Sequence, residues 1–236
     1  GHDRFQWGDV EEVLGELMPK DAKQLVIDAG DPENGERISM SHLAVALSGP
    51  VNAVSNLNAW VASSMFADHH IAPITNGVHH ITWTSPAMSE LFDTHLEGWK
   101  EDPTKLAHAG RIPTEDLAQS REKARKVLRD LVKVGTGVDL ESDRLTIGFA
   151  RRFATYKRAN LVFADLERLK QIGSGKIQFV FSGKAHPRDE GGKALIKSIF
   201  DSAKDLEDEI PVAFLEDYSM ATGLALSLIH ISEPTR

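Results

Sequence analysis

The chain has 236 residues, 41% of them hydrophobic, and a formal net charge of −8. This composition allows one or two domains with a real core, and it argues against nucleic acid as a main partner, because nucleic-acid binders carry a basic footprint. No cysteine is present, which excludes disulfides and thiolate metal sites and suits the cytoplasm. No apolar run approaches the roughly 18 residues of a membrane span, so no membrane partner is expected.

The first 80 residues predict three short helices. The first covers 9–17, with Asp9 as its N-cap, and the second covers 39–47. A short strand over 51–55 ends at Ser55, which can cap the third helix over 56–66. The buried side of that third helix is expected to carry its large apolar residues, Leu57, Trp60, Val61 and Met65.

A tight turn follows at Asn76-Gly77, since Asn-Gly is among the strongest turn signals. One interpretation is a plain loop. The other is that the glycine lets Asn76 present its amide to a ligand.

The next stretch predicts two helices joined by a connection over 97–113. The first runs over 86–96, with Ser85 as cap and Pro86 at its first position. Thr114 is expected to cap a long helix over 115–134. Its inward residues are predicted to be Leu117, Ala124, Leu128 and Leu131. Its basic residues, which we interpret as a solvated face, are Arg121, Lys123, Arg125, Lys126 and Arg129.

Residues 145–150 form a short apolar run that predicts a buried strand. A helix is expected after it, because Val162, Leu166, Leu169 and Ile172 recur at helical spacing. Apolar runs at 177–181 and 211–215 predict two more strands, with a helix over 189–205 between them. This alternation of strands and helices is typical of an α/β fold with a parallel sheet.

Each of the three predicted strands ends in polar residues. Arg151 and Arg152 follow the first strand, Lys184 and His186 the second, and Glu216 to Tyr218 the third. The carboxyl ends of parallel strands share one rim, so these side chains should meet at a crevice. Arg151, Arg152 and Lys157 lie where a phosphate would bind, beside a strand end and a helix start. The alternative is that these charges form a solvated face.

Other kinds of site lack their sequence signatures. There is no glycine-rich dinucleotide or P-loop motif and no serine nucleophile elbow. The pairs His69-His70 and His79-His80 lie in predicted loops without further ligands, so no metal site is predicted.

Four motifs in order resemble the glycogen/α-glucan phosphorylase family, in its shorter bacterial and archaeal branch. They are Thr75-Asn76-Gly77-Val78-His79 with Trp83, then 149–159 (Phe-Ala-Arg-Arg-Phe-Ala-Thr-Tyr-Lys-Arg-Ala), 182–187 (Ser-Gly-Lys-Ala-His-Pro) and 214–218 (Phe-Leu-Glu-Asp-Tyr). The resemblance extends from residue 1 to about 225. It implies the GT-B glycosyltransferase fold, in which two Rossmann-like domains face each other across a cleft.

Both domains are expected to be incomplete here. Residues 1–80 would be the last part of the N-terminal domain, and 81–225 the first part of the C-terminal one, with a helical lead-in over 81–140 and βαβαβ over 144–225. Residues 226–236 (Leu-Ser-Leu-Ile-His-Ile-Ser-Glu-Pro-Thr-Arg) resemble a translated sequencing adapter and are set aside as a non-native tail. We therefore expect an internal fragment of a longer protein.

The resemblance implies an α-1,4-glucan phosphorylase, which uses inorganic phosphate to release glucose 1-phosphate with retained configuration. Pyridoxal phosphate would be the cofactor and would act through its own phosphate. By matching positions, Arg152 and Lys157 would hold the substrate phosphate, and Arg151, Trp83 and Tyr218 would lie near the cofactor. Asn76 would touch the glucosyl unit. Lys184 and His186 match a family motif without an assigned role, and a structural turn is the preferred interpretation.

The family's Schiff-base lysine would lie downstream of Tyr218, so the fragment alone is expected to be inactive and marginally stable. One alternative is a nucleotide-sugar glucosyltransferase of the glycogen or starch synthase type, which shares an arginine five residues before a lysine. Another is a carbohydrate- or phosphate-binding fragment without chemistry. The parent protein could be a homo-oligomer.

Overall fold

The computed structural model describes residues 4–17, 26–27, 37–206 and 209–227. The chain divides into two compact units, Gly1–Val78 and His79–Arg236. The structure does not test the assignment of these segments to the two halves of a larger protein, so that assignment stays a prediction.

The described residues of the first unit form two small sheets and include three helices of eight to ten residues. Its elements are β1 (Arg4–Gln6), α1 (Trp7–Leu14), β2 (Arg37–Ser39), α2 (Met40–Leu47), β3 (Val51–Ala53), α3 (Asn56–Met65) and β4 (Ile71–Pro73). Strands β1 and β2 pair antiparallel. Strands β3 and β4 pair in parallel and are connected through α3, which makes a β-α-β unit.

Local capping chemistry sets the helix starts of this unit. The Ser55 hydroxyl accepts a hydrogen bond from the Asn58 amide, so this predicted cap is confirmed. Ser39, predicted as the first residue of its helix, is instead the N-cap, and its hydroxyl accepts from the His42 amide. The prediction for α1 is wrong. Gln6 is its N-cap, and the Asp9 carboxylate instead accepts from the Gln6 amide at 3.3 Å in a capping box.

Helix α3 packs on its sheet through small residues. Ala59 is 7% exposed and contacts Ala53 and Ile71. The predicted buried side is wrong: Trp60 is 73% exposed, and Leu57, Val61 and Met65 are exposed as well. The short strands leave room only for the alanine face of the helix, so its large apolar side chains point away from the sheet.

The second unit is an α/β unit preceded by helices. Its elements are α4 (Pro86–His95), a 3₁₀ segment (Pro103–Arg111), α5 (Thr114–Thr136), β5 (Leu145–Ala150), 3₁₀ turns at Thr155–Lys157 and Leu161–Phe163, α6 (Leu166–Gly173), β6 (Ile177–Ser182), α7 (Glu190–Leu206), β7 (Val212–Leu215) and α8 (Met220–Ser227). The strands form one parallel sheet in the order β5-β6-β7. The predicted α/β class with a parallel sheet is confirmed.

N-cap residues were predicted for two helices of this unit, and one of the two predictions is correct. The Ser85 hydroxyl accepts from the Met88 amide, with Pro86 at the first turn of α4. Pro113, and not Thr114, is the N-cap of α5. The predicted inward set of α5 needs one correction, because Val132 is fully buried whereas Leu131 is 36% exposed.

The basic face of α5 is more ordered than a solvated face. Arg129 contacts the Glu122 carboxylate at 2.6 Å, and Arg125 donates to the Ser142 carbonyl at 2.8 Å. The Arg129–Glu122 pair lies within α5, and the Arg125 hydrogen bond ties α5 to the segment that leads into β5.

The sheet is covered by helices on both faces, as a doubly wound sheet requires. Phe179 and Phe181 of β6 join one core cluster, together with Leu169 of α6 and Ile199 of α7. Val180, which alternates with them, faces the other cluster, formed by Leu128 and Val132 of α5, Leu140, Ala213, Leu215 and Leu226. Leu226 is thus 2% exposed although it begins the segment set aside as a tail. The end of the natural chain near Ala225 stays a prediction.

The first strand and the helix after it differ from the sequence-based picture. Strand β5 forms as predicted but lies at the edge of the sheet, so Leu145 is 62% exposed. The apolar stripe from Val162 to Ile172 is also wrong, since Val162 is 38% and Ile172 59% exposed. A 3₁₀ turn buries Phe163 instead, and Asp165 caps a shorter α6 by accepting from the Arg168 amide.

Candidate functional site

The carboxyl ends of the three strands of the second unit lie side by side. Ala150, the last residue of β5, is in register with Ser182 of β6, and Ser182 is in register with Leu215 of β7. The residues that follow these positions therefore share one rim, as the sequence predicted. This is the edge of an open α/β sheet where ligands usually bind.

One cavity opens beside β5 and is called the β5 cavity below. Its volume is about 570 Å³, and its walls include residues 146–150 of β5 and part of α8. Trp83, Arg151 and Tyr218, which are distant in sequence, all line it. Gly223 of α8 leaves room for the tyrosine, because a Cβ there would lie 2.6 Å from the Tyr218 hydroxyl.

Arg152 and Lys157 lie outside the lining of this cavity. Arg152 is exposed and immediately precedes the fully buried Phe153. Lys157 ends a 3₁₀ turn, with its Nζ 4.9 Å from the centre of the Tyr156 ring. Arg151 lies at a bend directly after β5, and of the two adjacent arginines only Arg151 lines the cavity.

The segment 151–158 is a concentration of positive charge. It holds four cations, Arg151, Arg152, Lys157 and Arg158. None of the four forms an ion pair with a carboxylate in the part of the chain that the structure describes, whereas Lys133 and Lys184 each do. An uncompensated cluster in a chain of net charge −8 attracts anions to this rim.

Lys184 and His186 have defined partners at the end of β6. The Lys184 Nζ donates to the Asp217 carboxylate at 2.6 Å, and this hydrogen bond holds the pKa of Asp217 below its ordinary value. The His186 Nδ1 accepts from the Arg188 amide at 3.1 Å. The sequence predicted that Asp217 and Lys184 share this rim, but it did not predict which of the rim side chains pair across 33 positions.

Asn76 belongs to the first unit. Its side chain is exposed, and its backbone N–H donates to the Val54 carbonyl at 3.1 Å. The predicted tight turn at Asn76-Gly77 is wrong, because residues 74–79 form no turn and Gly77 does not have a positive φ. The contact of Asn76 with a glucosyl unit stays a prediction.

The histidines at 79 and 80 contact residues of their own unit. The His79 Nδ1 lies 2.7 Å from the Thr82 hydroxyl, and the His80 Nε2 lies 3.1 Å from the Lys100 carbonyl. Within the described residues, no group of three or more His, Asp or Glu could hold a metal ion. Helices in the same part of the chain are all too short or too polar to cross a membrane.

Comparison with known proteins gives consistent matches. Residues 10–230 match a family model described as carbohydrate phosphorylase. A maltodextrin phosphorylase from Thermococcus litoralis is 32% identical, over 96% of this chain and 30% of that protein. Glycogen phosphorylases from Aquifex aeolicus and Mycobacterium tuberculosis are 34% and 30% identical, over 89% and 96% of this chain and 34% and 31% of their own lengths. The chain therefore spans about a third of the length of these relatives.

Proposed function

The chain belongs to the carbohydrate phosphorylase family, and from this membership we propose that its parent protein is an α-1,4-glucan phosphorylase. The reaction transfers the terminal glucose of the glucan to inorganic phosphate and releases glucose 1-phosphate with retained configuration. The observation that carries the proposal is the rim itself. Four cations without a carboxylate partner among the described residues stand at the carboxyl end of β5, one of them inside a cavity with two aromatic residues.

We assign the substrate phosphate to Arg152 and Lys157. A guanidinium offers a fork that matches two phosphate oxygens, and an ammonium adds a point charge. Neither side chain has to leave a carboxylate of the described chain before it binds an anion. Positive charge fixed in advance stabilises the transferring phosphate and the oxocarbenium-like centre that develops on the sugar.

The β5 cavity fits the non-covalent part of pyridoxal phosphate. Its volume of about 570 Å³ is within the usual range for small-molecule sites. Arg151 would face the cofactor phosphate, and Trp83 and Tyr218 would pack near its ring. When bound, the cofactor supplies a proton relay through its own phosphate. From the family resemblance, we place the residue that carries the cofactor in the parent protein beyond Tyr218.

Two phosphates held close together repel each other strongly, and this repulsion requires fixed cations between or beside them. Arg151, which lines the β5 cavity, and Arg152, which lies outside its lining, would meet that requirement with two adjacent residues. Asn76 is proposed to contact the glucosyl unit from the first unit of the chain.

We further propose the GT-B arrangement of two Rossmann-like domains, of which each unit is a part. The parallel β3-α3-β4 unit and the parallel β5-β6-β7 sheet support it. Cytoplasmic location and a homo-oligomeric parent stay predictions.

The test is an assay of the full-length parent protein loaded with pyridoxal phosphate. Glucose 1-phosphate should form from glycogen, starch or maltodextrin only when inorganic phosphate is present. Glucosyl transfer from a nucleotide sugar, with no phosphorolysis, would instead establish the synthase-type alternative. If the loaded protein shows neither reaction on any of these glucans, the proposed function is wrong.

A further inference from the structure

The segment Ser182–Ala185 begins at the last residue of β6 and contacts the ends of the strands on both sides. We call it the clamp segment. On the β5 side the contact is unusually close. Gly183 has φ +152°, and a Cβ built on it would overlap the Arg151 carbonyl oxygen. Only glycine lets the two backbones approach in this way. The position of the clamp segment therefore limits where Arg151 can lie.

The same segment also fixes the residue after Arg152. The Phe153 amide donates to the Lys184 carbonyl at 3.1 Å, and Phe153 forms an isolated parallel bridge with Ala185. The Phe153 ring is fully buried, with its centre 5.4 Å from that of Phe149. The clamp segment therefore contacts the backbone at Arg151 through Gly183 and at Phe153 through Lys184, on either side of Arg152.

On its other side the clamp segment is tied to the end of β7. The Ser182 hydroxyl, fully buried, donates to the Leu215 carbonyl at 2.7 Å. The Lys184 ammonium donates to Asp217 at 2.6 Å, and Asp217 adopts a left-handed backbone with φ +51°. These two contacts join the end of β6 to the end of β7. Together with the contacts of Gly183 and Lys184 on the β5 side, the clamp segment connects all three strand ends.

We propose that the clamp segment positions the anion site, and that Lys184 and Asp217 are positioning residues for Arg151 and Arg152. The inference rests on the proposed function, and it gives a role to the one motif that the family resemblance left unassigned. Lys184 acts through its neighbours, because its ammonium is already engaged by Asp217. Breaking the pair removes one of the two side-chain contacts between the clamp segment and the end of β7, which loosens the arginine-bearing strand end.

The matched control is the ion pair Lys133–Asp139. Its N–O distance is 2.7 Å, and its side chains are 61% and 74% exposed, against 2.6 Å, 60% and 92% for Lys184–Asp217. It joins the end of α5 to the following loop and contacts neither Arg151 nor Phe153. A general effect of losing an exposed ion pair would appear equally in both pairs.

The experiment uses the full-length parent protein and the variants Lys184→Ala, Asp217→Ala, their double mutant, Lys184→Arg and Lys133→Ala. Each alanine variant of the rim pair should raise the KM for phosphate about two- to fivefold, the range expected for one exposed ion pair. The kcat and the KM for glucan should change little. The double mutant should be no worse than either single one, because both act through one contact. Lys184→Arg should restore the KM for phosphate, and Lys133→Ala should not change it.

A KM for phosphate that responds to Lys184→Ala no more than to Lys133→Ala would overturn the inference. So would additive effects in the double mutant. Titration calorimetry with inorganic phosphate separates this failure from that of the proposed function, since it needs no turnover. If the parent protein binds phosphate but does not phosphorolyse glucan, the proposed function fails. In that case, phosphate binding that Lys184→Ala weakens about two- to fivefold would support the inference, and unchanged binding would overturn it.

Discussion

The two adjacent arginines should have separable functions, and replacing each by methionine tests this. Both side chains are exposed, but only Arg151 lines the β5 cavity. Methionine keeps an unbranched stem and removes the guanidinium group, with its charge and its hydrogen-bond donors. In the parent protein, Arg151→Met should weaken retention of pyridoxal phosphate, and Arg152→Met should raise the KM for inorganic phosphate.

The expected size follows from where each guanidinium lies. A hydrogen bond to a charged group contributes about 1.5–3 kcal/mol, which corresponds to roughly tenfold to 150-fold in affinity. Both side chains are exposed, so water screens both charges. We therefore expect effects near the lower limit, about tenfold, for Arg152→Met on the KM for phosphate and for Arg151→Met on the dissociation constant of the cofactor.

Two assays on the same preparations decide the outcome. Cofactor content is measured from its visible absorbance after dialysis, and the KM for phosphate is measured with saturating glucan and added cofactor. Arg121→Met, an exposed arginine of α5, should change neither quantity. Loss of cofactor from Arg152→Met with retention in Arg151→Met would reverse the assignment and refute the geometry behind it.

Three further predictions concern stability and pH. Gly183→Ala should lower the free energy of unfolding by more than about 1 kcal/mol in urea titrations, because a Cβ there overlaps backbone; unchanged stability would contradict the close approach. Leu128→Ala, at a position 1% exposed, should cost about 2–5 kcal/mol, whereas Leu145→Ala, at a position 62% exposed, should cost less than about 0.5 kcal/mol. The pKa of Asp217 is lowered by the hydrogen bond from Lys184, so the pair contributes fully above the ordinary carboxyl pKa of 3.8 and is lost as the pH falls through the lowered value. The stability difference between wild type and Lys184→Ala should therefore be present at neutral pH and vanish in strong acid, and a difference that persists in acid would exclude Asp217 as the partner.

The sequence predicted best what local chemistry decides. Ser55 and Ser85 cap their helices as expected, because a cap needs only a hydroxyl and the next few amides. The shared rim was also predictable, since alternating strands and helices allow few topologies. Proximity of Arg151 to Trp83 and Tyr218 came from resemblance, and no spacing rule could have supplied it.

What failed depends on the partners of each element. The large side chains of α3 were expected to be buried, yet the helix presents Ala59 to a sheet of two short strands. Strand β5 has an apolar sequence, but whether it is buried depends on a neighbour at its outer edge, and the described residues contain no such strand. Asp217 is paired with Lys184 through a contact between two strand ends, which periodicity cannot reveal.

Only Arg151 of the two adjacent arginines lines the β5 cavity, and this makes the length of β5 critical. Adding or deleting a single residue between Leu145 and Arg151 would shift the following residues by one position and turn the strand side chains beyond the change to the opposite face. Conservative replacement of a β5 side chain leaves the position of Arg151 along the chain unchanged. Insertions and deletions should therefore be tolerated far less than substitutions along this strand, and a library that varies its length would expose the constraint directly.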